Sequence, residues 1–295
     1  MGLNRVRIIL VEPAGPMNVG SIARVMKNFG LNHLVLVNPQ CQVLSTEALK
    51  MAVHAKDILH SAVSVTTLPE ALQGCTRAIA TTARVRNWDS PLENLSTTLP
   101  WLLEEPQHPA ALIFGREDRG LSNEELNYAQ RFIRIPTSSS YPSLNLATAV
   151  AICCYELAQS DAENKEDTTR GQHLPSEGTF VVDALEETSH TMESVHRHED
   201  KGNFVKKISA SLPSHTPTSI HESAPLNILE EYYQQLESLL LKIGYLYPHT
   251  AASRMETFRQ MYNRAQLQTR EVAMLRGILR QVEWALENRN NREGL

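Results

Sequence analysis

Residues 5–37 read Arg5-Val6-Arg7-Ile8-Ile9-Leu10-Val11-Glu12-Pro13-Ala14-Gly15-Pro16-Met17-Asn18-Val19-Gly20-Ser21-Ile22-Ala23-Arg24-Val25-Met26-Lys27-Asn28-Phe29-Gly30-Leu31-Asn32-His33-Leu34-Val35-Leu36-Val37. The run 6–11 is short and mostly apolar, as expected of a buried strand. From 18 to 29 the apolar residues Val19, Ile22, Val25, Met26 and Phe29 recur every three or four positions. That spacing predicts a helix, with Gly30 as its stop. Residues 34–37 give a second strand, closed by Asn38-Pro39. The alternation continues, with strands expected around 63–65, 78–81, 110–114 and 132–135. Helices lie between them, and a helix over 145–157 closes the set. Strands alternating with helices mean a parallel α/β sheet, here assigned to a domain of residues 1–160.

Outward from this unit the pattern changes. Residues 161–225 are rich in Ser, Thr, Glu and His and hold six of the eleven histidines. Their apolar residues are scattered, which predicts a largely disordered linker with at most a short helix over 180–185. Order returns in 226–295. Leu229, Tyr233, Leu236, Leu240 and Ile243 share one helical face. A second helix is expected over 251–265 and a third from Thr269, where Val272, Leu275, Leu279, Val282 and Leu286 align. Three short amphipathic helices predict a small helical domain that needs a partner to bury its apolar stripes, so a homodimer is expected.

The chain of 295 residues is 42% hydrophobic and 21% charged, which excludes wholesale disorder. No stretch approaches the ~18 consecutive apolar residues of a membrane span, and no secretory signal is read at the N-terminus. Cys41, Cys75, Cys153 and Cys154 form no CxxC pair, so neither a disulfide framework nor a zinc site is expected, and a reducing cytoplasm fits. The net charge of −5 divides unevenly. Residues 1–160 carry 13 basic and 13 acidic side chains, residues 161–225 carry 6 and 12, and residues 226–295 carry 9 and 8. The negative charge belongs to the middle segment and leaves room for a basic surface elsewhere.

Several chemistries are excluded by absence. No G-x-G-x-x-G follows the first strand. Gly15 to Gly20 has P-loop spacing, but Ser21-Ile22 follow where Lys and Ser or Thr are needed, so nothing reaches the β/γ-phosphates. Neither H-E-x-x-H nor G-x-S-x-G occurs. His190, His196 and His198 lie in the acidic segment, and no metal is assigned to them. What remains are three polar segments, each just after an expected strand: 12–24, 114–121 and 135–146. Ligands bind at the carboxyl ends of parallel strands, so these three can converge on one site.

The three segments resemble, in order, the three motifs of the SPOUT class of RNA methyltransferases. Asn18-Val19-Gly20-Ser21-Ile22-Ala23-Arg24 is similar to N-x-G-S-x-A-R. Phe114-Gly115-Arg116-Glu117-Asp118-Arg119-Gly120-Leu121 is similar to F-G-x-E-x-x-G-L. Ile135-Pro136 through Ser143-Leu144-Asn145-Leu146-Ala147 is similar to I-P-x(n)-S-L-N-L-A. The resemblance covers residues 5–158. In the last helices, 259–265 and 271–279 resemble the C-terminal extension of the TrmJ family, tRNA 2′-O-methyltransferases acting on the ribose of C or U at nucleotide 32 of the anticodon loop.

The resemblance implies a parallel sheet ending in a deep trefoil knot, S-adenosylmethionine as cofactor, a homodimeric active site and tRNA as substrate. It implies catalytic roles for Arg24, Asn18, Ser143 and Asn145. A guanidinium rarely gives up its proton, so Arg24 is expected to hold a phosphate and steady the developing alkoxide, a base role being unproven. Asn18 is expected to act through its amide or as the cap of the first helix, and Gly20 and Ser21 to allow close backbone approach. Cofactor contacts fall to Thr81, Thr82, Ala83, Gly115, Glu117, Gly120, Leu121, Ile135, Ser143, Leu144, Asn145 and Ala149. The plain alternative for Glu117 is a salt bridge with Arg116 or Arg119. RNA contacts are expected from Arg24, Lys27, Arg84, Arg86, Arg276 and Arg280, with Tyr262 or Trp284 available to stack on bases. Two alternatives stay open: a ribosomal RNA methyltransferase of the same class, and a non-catalytic RNA-binding dimer.

Overall fold

The computed structural model describes residues 2–82, 93–105, 107–170 and 223–293. In chain order the elements are β1 (Val6–Val11), α1 (Pro16–Asn28), β2 (His33–Val37), α2 (Thr46–Ala52), α3 (Lys56–Ser61), β3 (Val63–Val65), α4 (Leu68–Ala71), β4 (Arg77–Thr81) and α5 (Leu95–Thr98). They continue as β5 (Ala110–Phe114), α6 (Asn123–Leu126), β6 (Arg131–Ile133), α7 (Leu146–Arg170), α8 (Leu226–Lys242), α9 (Ala251–Ala265) and α10 (Thr269–Glu293). The six strands form one parallel sheet in the order β3-β2-β1-β5-β4-β6. The expected strands are all present. The closing helix α7 runs to Arg170, beyond the expected domain end at 160. The expected helix over 180–185 lies outside the described residues.

Alternation along β1 sorts its side chains onto two faces. Val6, Ile8 and Leu10 join a core with α1, α2, α3 and α7, while Ile9 and Val11 face the opposite core. On the first face α1 and α2 cross with almost no gap. A Cβ on Gly20 would overlap the Ala48 carbonyl of α2. Gly20 therefore serves helix packing, not approach to a ligand.

The second face explains the C-terminal helices. Leu226, Leu229, Tyr232, Tyr233, Leu236 and Leu239 of α8 are buried in one cluster with Ile9, Val11, Leu72 and Ile113. Full burial of each such side chain contributes roughly 1.5–3 kcal/mol, more than any surface ion pair offers. The stripe is covered within the chain, by α4, α9 and α10 together with this face of the sheet. Backbone ties fix the junction: the Leu226 N–H donates to the Cys75 carbonyl at 2.7 Å, and the Ala224 N–H to the Leu267 carbonyl at 2.9 Å. The buried face is shifted from the expected one, since Tyr232 and Leu239 are buried and Ile243 is exposed. Arg259 of α9 donates to Glu230 of α8 at 2.5 and 2.8 Å and stacks over Tyr233, so it serves packing.

Replacing Gly20 with Ala should force α1 and α2 apart and cost about 1–3 kcal/mol, measured as a lowered urea midpoint with unchanged slope. An unchanged midpoint would show that the helix pair has slack.

Candidate active site

The loops that leave the carboxyl ends of β4, β5 and β6 surround one cavity of about 400 Å³, and the loop after β1 is tied to its rim through Glu117. This size falls within the range of small-molecule sites. The floor is Phe114 and Gly115. One wall is the loop of residues 116–121, and the other is Ile135 with Pro142, Ser143, Leu144, Leu146 and Ala149. Thr81 and Thr82 close the edge. Of the expected cofactor residues, Thr81, Thr82, Gly115, Glu117, Gly120, Leu121, Ile135, Ser143, Leu144 and Ala149 line this cavity. Asn145 sits outside its lining, next to Asn18. Ala83, Arg84 and Arg86 lie outside the described residues.

The loop between β5 and α6 owes its shape to two glycines. Gly120 adopts φ +68° and donates its N–H to the Arg116 carbonyl at 2.8 Å, folding the loop back on itself. A Cβ on Gly115 would collide with the Gly120 backbone. The cradle thus exists only with glycine at both positions.

Glu117 joins the three motifs. Its carboxylate accepts from the Ala14 and Gly15 N–H groups, both at 3.0 Å, and from Asn18 Nδ2 at 2.9 Å. Asn18 Oδ1 in turn accepts from Asn145 Nδ2 at 3.1 Å. Asn145 Oδ1 accepts from the N–H groups of Ala147 and Thr148, capping α7. Burial alone pushes the Glu117 carboxyl up. The hydrogen bonds, led by the Ala14 N–H and Asn18, outweigh it and hold the group below its ordinary value.

Two expectations are corrected here. Asn18 does not cap α1. The helix starts earlier because Pro16 favours its first turn, so Gly15 is the cap residue and Asn18 lies inside that turn. Nor does Glu117 pair with Arg116 or Arg119. Arg119 grips Glu125 through two hydrogen bonds of 2.8 and 2.9 Å and Glu12 through one of 3.0 Å. Those bonds, led by Glu125, raise its pKa and keep it charged. Arg116 lies 3.1 Å from Asp118 and 3.9 Å from Glu12. This network was missed from sequence. One part was visible, because Ser122-x-x-Glu125 is a capping-box pattern and forms one in α6. The positive φ of Glu12, +50°, had no signal.

Arg24 projects from α1 and is exposed, with no ion pair among the described residues. Ser143 is exposed at the cavity lip. Lys27 pairs with Asp57 at 2.7 Å. Arg276 bonds Glu231 at 2.8 Å and Gln235 at 3.2 Å, while Arg280 is exposed. Tyr262 is not available to stack on a base, because its ring meets Tyr232 edge-on and the two hydroxyls bond at 3.0 Å. Trp284 is 61% exposed. Among the described residues no group of His, Cys, Asp and Glu is arranged to hold a metal, and no helix is long and apolar enough to cross a membrane.

A cleft at strand ends with a glycine cradle is suited to a small cofactor. Comparison with known proteins agrees. The SpoU rRNA methylase family matches residues 5–155, and the C-terminal domain of the tRNA methyltransferase TrmJ matches residues 227–293. The tRNA (cytidine/uridine-2′-O-)-methyltransferase TrmJ of Pectobacterium atrosepticum is 32% identical over 296 residues, covering 95% of this chain and 98% of its own. The tRNA (cytidine/uridine/adenosine-2′-O-)-methyltransferase TrmJ of Pseudomonas aeruginosa is 34% identical, with 95% of each chain covered. The crystal structure of TrmJ from Z. mobilis ZM4 superposes with a TM-score of 0.69 at 25% identity, covering 94% of this chain and 98% of that one. The chain therefore belongs to the SpoU methylases and, along nearly its whole length, to their TrmJ family. It is a methyltransferase, and the methyl donor of this family is S-adenosylmethionine.

The depressed Glu117 carboxyl has a pH signature. A carboxyl lowered in the fold contributes stability that is present above its ordinary value of 4.5 and lost as pH falls through the folded value. Denaturation of the wild type and Glu117→Gln should differ most at neutral pH and converge in acid. A gap independent of pH would refute the charge-based account.

Proposed function

We propose that the protein is an S-adenosylmethionine-dependent tRNA 2′-O-methyltransferase that modifies C or U at nucleotide 32 of the anticodon loop. The observation that carries this reading is the chain Glu117–Asn18–Asn145, which ties all three motif loops together beside a cavity of suitable size, with Arg24 exposed on the helix that carries Asn18. The lining residues fit the cofactor. Leu121, Ile135, Leu144, Leu146 and Ala149 give apolar surface for an adenine, and the glycine cradle exposes backbone donors and acceptors to its ribose. S-adenosylmethionine, when bound, supplies an electrophilic methyl group on a sulfonium.

The protein's own part is positioning and charge. Arg24 holds the phosphate beside the target ribose and stabilises the negative charge that develops on the 2′-oxygen. Asn18 and Asn145 are locked in orientation by Glu117 and by the α7 cap, and present a fixed polar edge to the ribose. Ser143, at the lip, is placed to accept a hydrogen bond from the 2′-hydroxyl. Lys27, Arg84, Arg86, Arg276 and Arg280 complete the phosphate contacts. Lys27 and Arg276 would exchange surface ion pairs that are worth little.

We also read the last part of the sheet as threaded into a deep trefoil knot, which membership of the SpoU methylases supports. In this reading residues 1–160 are the methyltransferase domain, 161–225 a linker and 226–295 the extension. The enzyme works as a homodimer in the cytoplasm, where its four free cysteines fit. The family's ribosomal name favours rRNA as the second reading, but both full-length relatives above are named for tRNA.

Labelled S-adenosylmethionine and bulk tRNA should yield 2′-O-methylcytidine or 2′-O-methyluridine, mapped by nucleoside mass spectrometry to the anticodon loop. Arg24→Ala should lower transfer by about 100-fold or more with cofactor affinity unchanged by calorimetry. Transfer to rRNA alone would replace the tRNA reading, and full activity of Arg24→Ala would remove Arg24 from the mechanism.

A further inference from the structure

The turn joining α8 to α9 reads Ile243-Gly244-Tyr245-Leu246-Tyr247-Pro248-His249-Thr250. Its middle residue, Leu246, is 1% exposed and plugged into the second core. The tyrosines on either side point outward, Tyr245 at 53% and Tyr247 at 58% exposure. A buried leucine thus anchors a turn that holds two aromatic rings in solvent.

The turn is also held firmly. The Tyr245 and Leu246 N–H groups both donate to the Leu240 carbonyl, at 2.9 and 3.0 Å, and the Thr250 and Ala251 N–H groups both donate to the Tyr247 carbonyl at 2.9 Å. Tyr245 leans on Phe258 with ring centroids 6.4 Å apart. The Tyr247 and His249 rings lie 25° from parallel at 6.0 Å. The backbone that carries the rings is therefore fixed, which lowers the ordering cost of contact with a ligand.

The charge around the turn selects the ligand. No carboxylate occurs in the sequence between Glu237 and Glu256; Lys242 is paired with Glu287 at 3.3 Å, which leaves Arg254 as the uncommitted cation beside the turn. Arg254 is exposed and has no ion pair among the described residues. Flat aromatic faces with a local cationic excess suit a nucleobase and its phosphate. The uncommitted cation beside the rings favours a phosphate-bearing ligand over an apolar protein face, and a second copy of the chain is left as an outcome of the test.

We propose that the 243–250 turn is a base-stacking platform, on which an unpaired nucleobase of the RNA substrate stacks against Tyr247 while Arg254 meets a neighbouring phosphate. This rests on the RNA-substrate reading above. It also replaces Tyr262, which is engaged in the core, as the stacking residue of the extension.

The test uses the full chain and a tRNA anticodon stem-loop carrying 2-aminopurine in its loop. Tyr247→Ala should weaken binding by about tenfold, in line with the loss of one base–aromatic stack, and reduce fluorescence quenching. Tyr247→Phe and Tyr247→Trp should bind within about twofold of wild type, because each keeps a π-face. S-adenosylmethionine affinity should be the same in all variants. Equal RNA affinity for Tyr247→Ala, or full rescue by Tyr247→Leu, would overturn the platform. Loss of a dimer in Tyr247→Ala by sedimentation, without a change in RNA affinity per protomer, would assign the turn to self-association instead. A wild-type protein that binds no RNA at all would refute the substrate reading itself, a result distinguishable from the others.

Discussion

Glu117 sits on a loop after β5 and holds, by its carboxylate, two backbone N–H groups and one side chain from the loop after β1. Asn18 passes the connection on to Asn145 at the start of α7. A partly buried carboxylate is tolerated only when its lone pairs are satisfied, so the three loops must arrive in register for any one of them to be stable there. The cavity opens beside this junction, between the β5 loop and the segment that leads into α7. The polar constraint joins the glycine turn in placing the loop beside the cavity, and it also fixes the orientation of both asparagine amides.

Around this centre the two faces of the sheet do different work. The first face holds α1 tightly against α2 through Gly20, which fixes the helix that carries Arg24 and Asn18. The second face is sealed by α8. Arg119, between Glu12 and Glu125, ties the tip of β1 to the cradle loop and to α6, so the loop that lines the cavity is braced from both ends.

Much of this was legible in the sequence for simple reasons. The buried strands are continuous apolar runs, and the helices repeat their apolar residues at the helical period, so the parallel sheet and the last three helices follow from periodicity. The motifs told which loops matter because ligands gather at strand ends. What could not be read was pairing at a distance. Nothing in Asn18 announces that Pro16 has already begun the helix, and nothing in Arg119 says that it reaches Glu12 across 107 positions of chain. The role of Gly20 was misjudged for the same reason: the atom that excludes a side chain there belongs to Ala48, on another helix. The apolar stripe of α8 was plain, but the identity of the surface covering it was not, since a stripe says how much must be buried and not against what.

That covering surface bears on how the protein is made. Ile9, Val11 and Ile113 share one buried cluster with residues from the far end of the chain. During synthesis the strands emerge first, and the tail follows after more than a hundred further residues, on the order of ten seconds later at ordinary ribosome speed. For that interval the nascent sheet carries one finished face and one open one. The second core is completed only near the end of translation, so the newborn chain passes through a stage with a large sticky surface, the kind that molecular chaperones recognise.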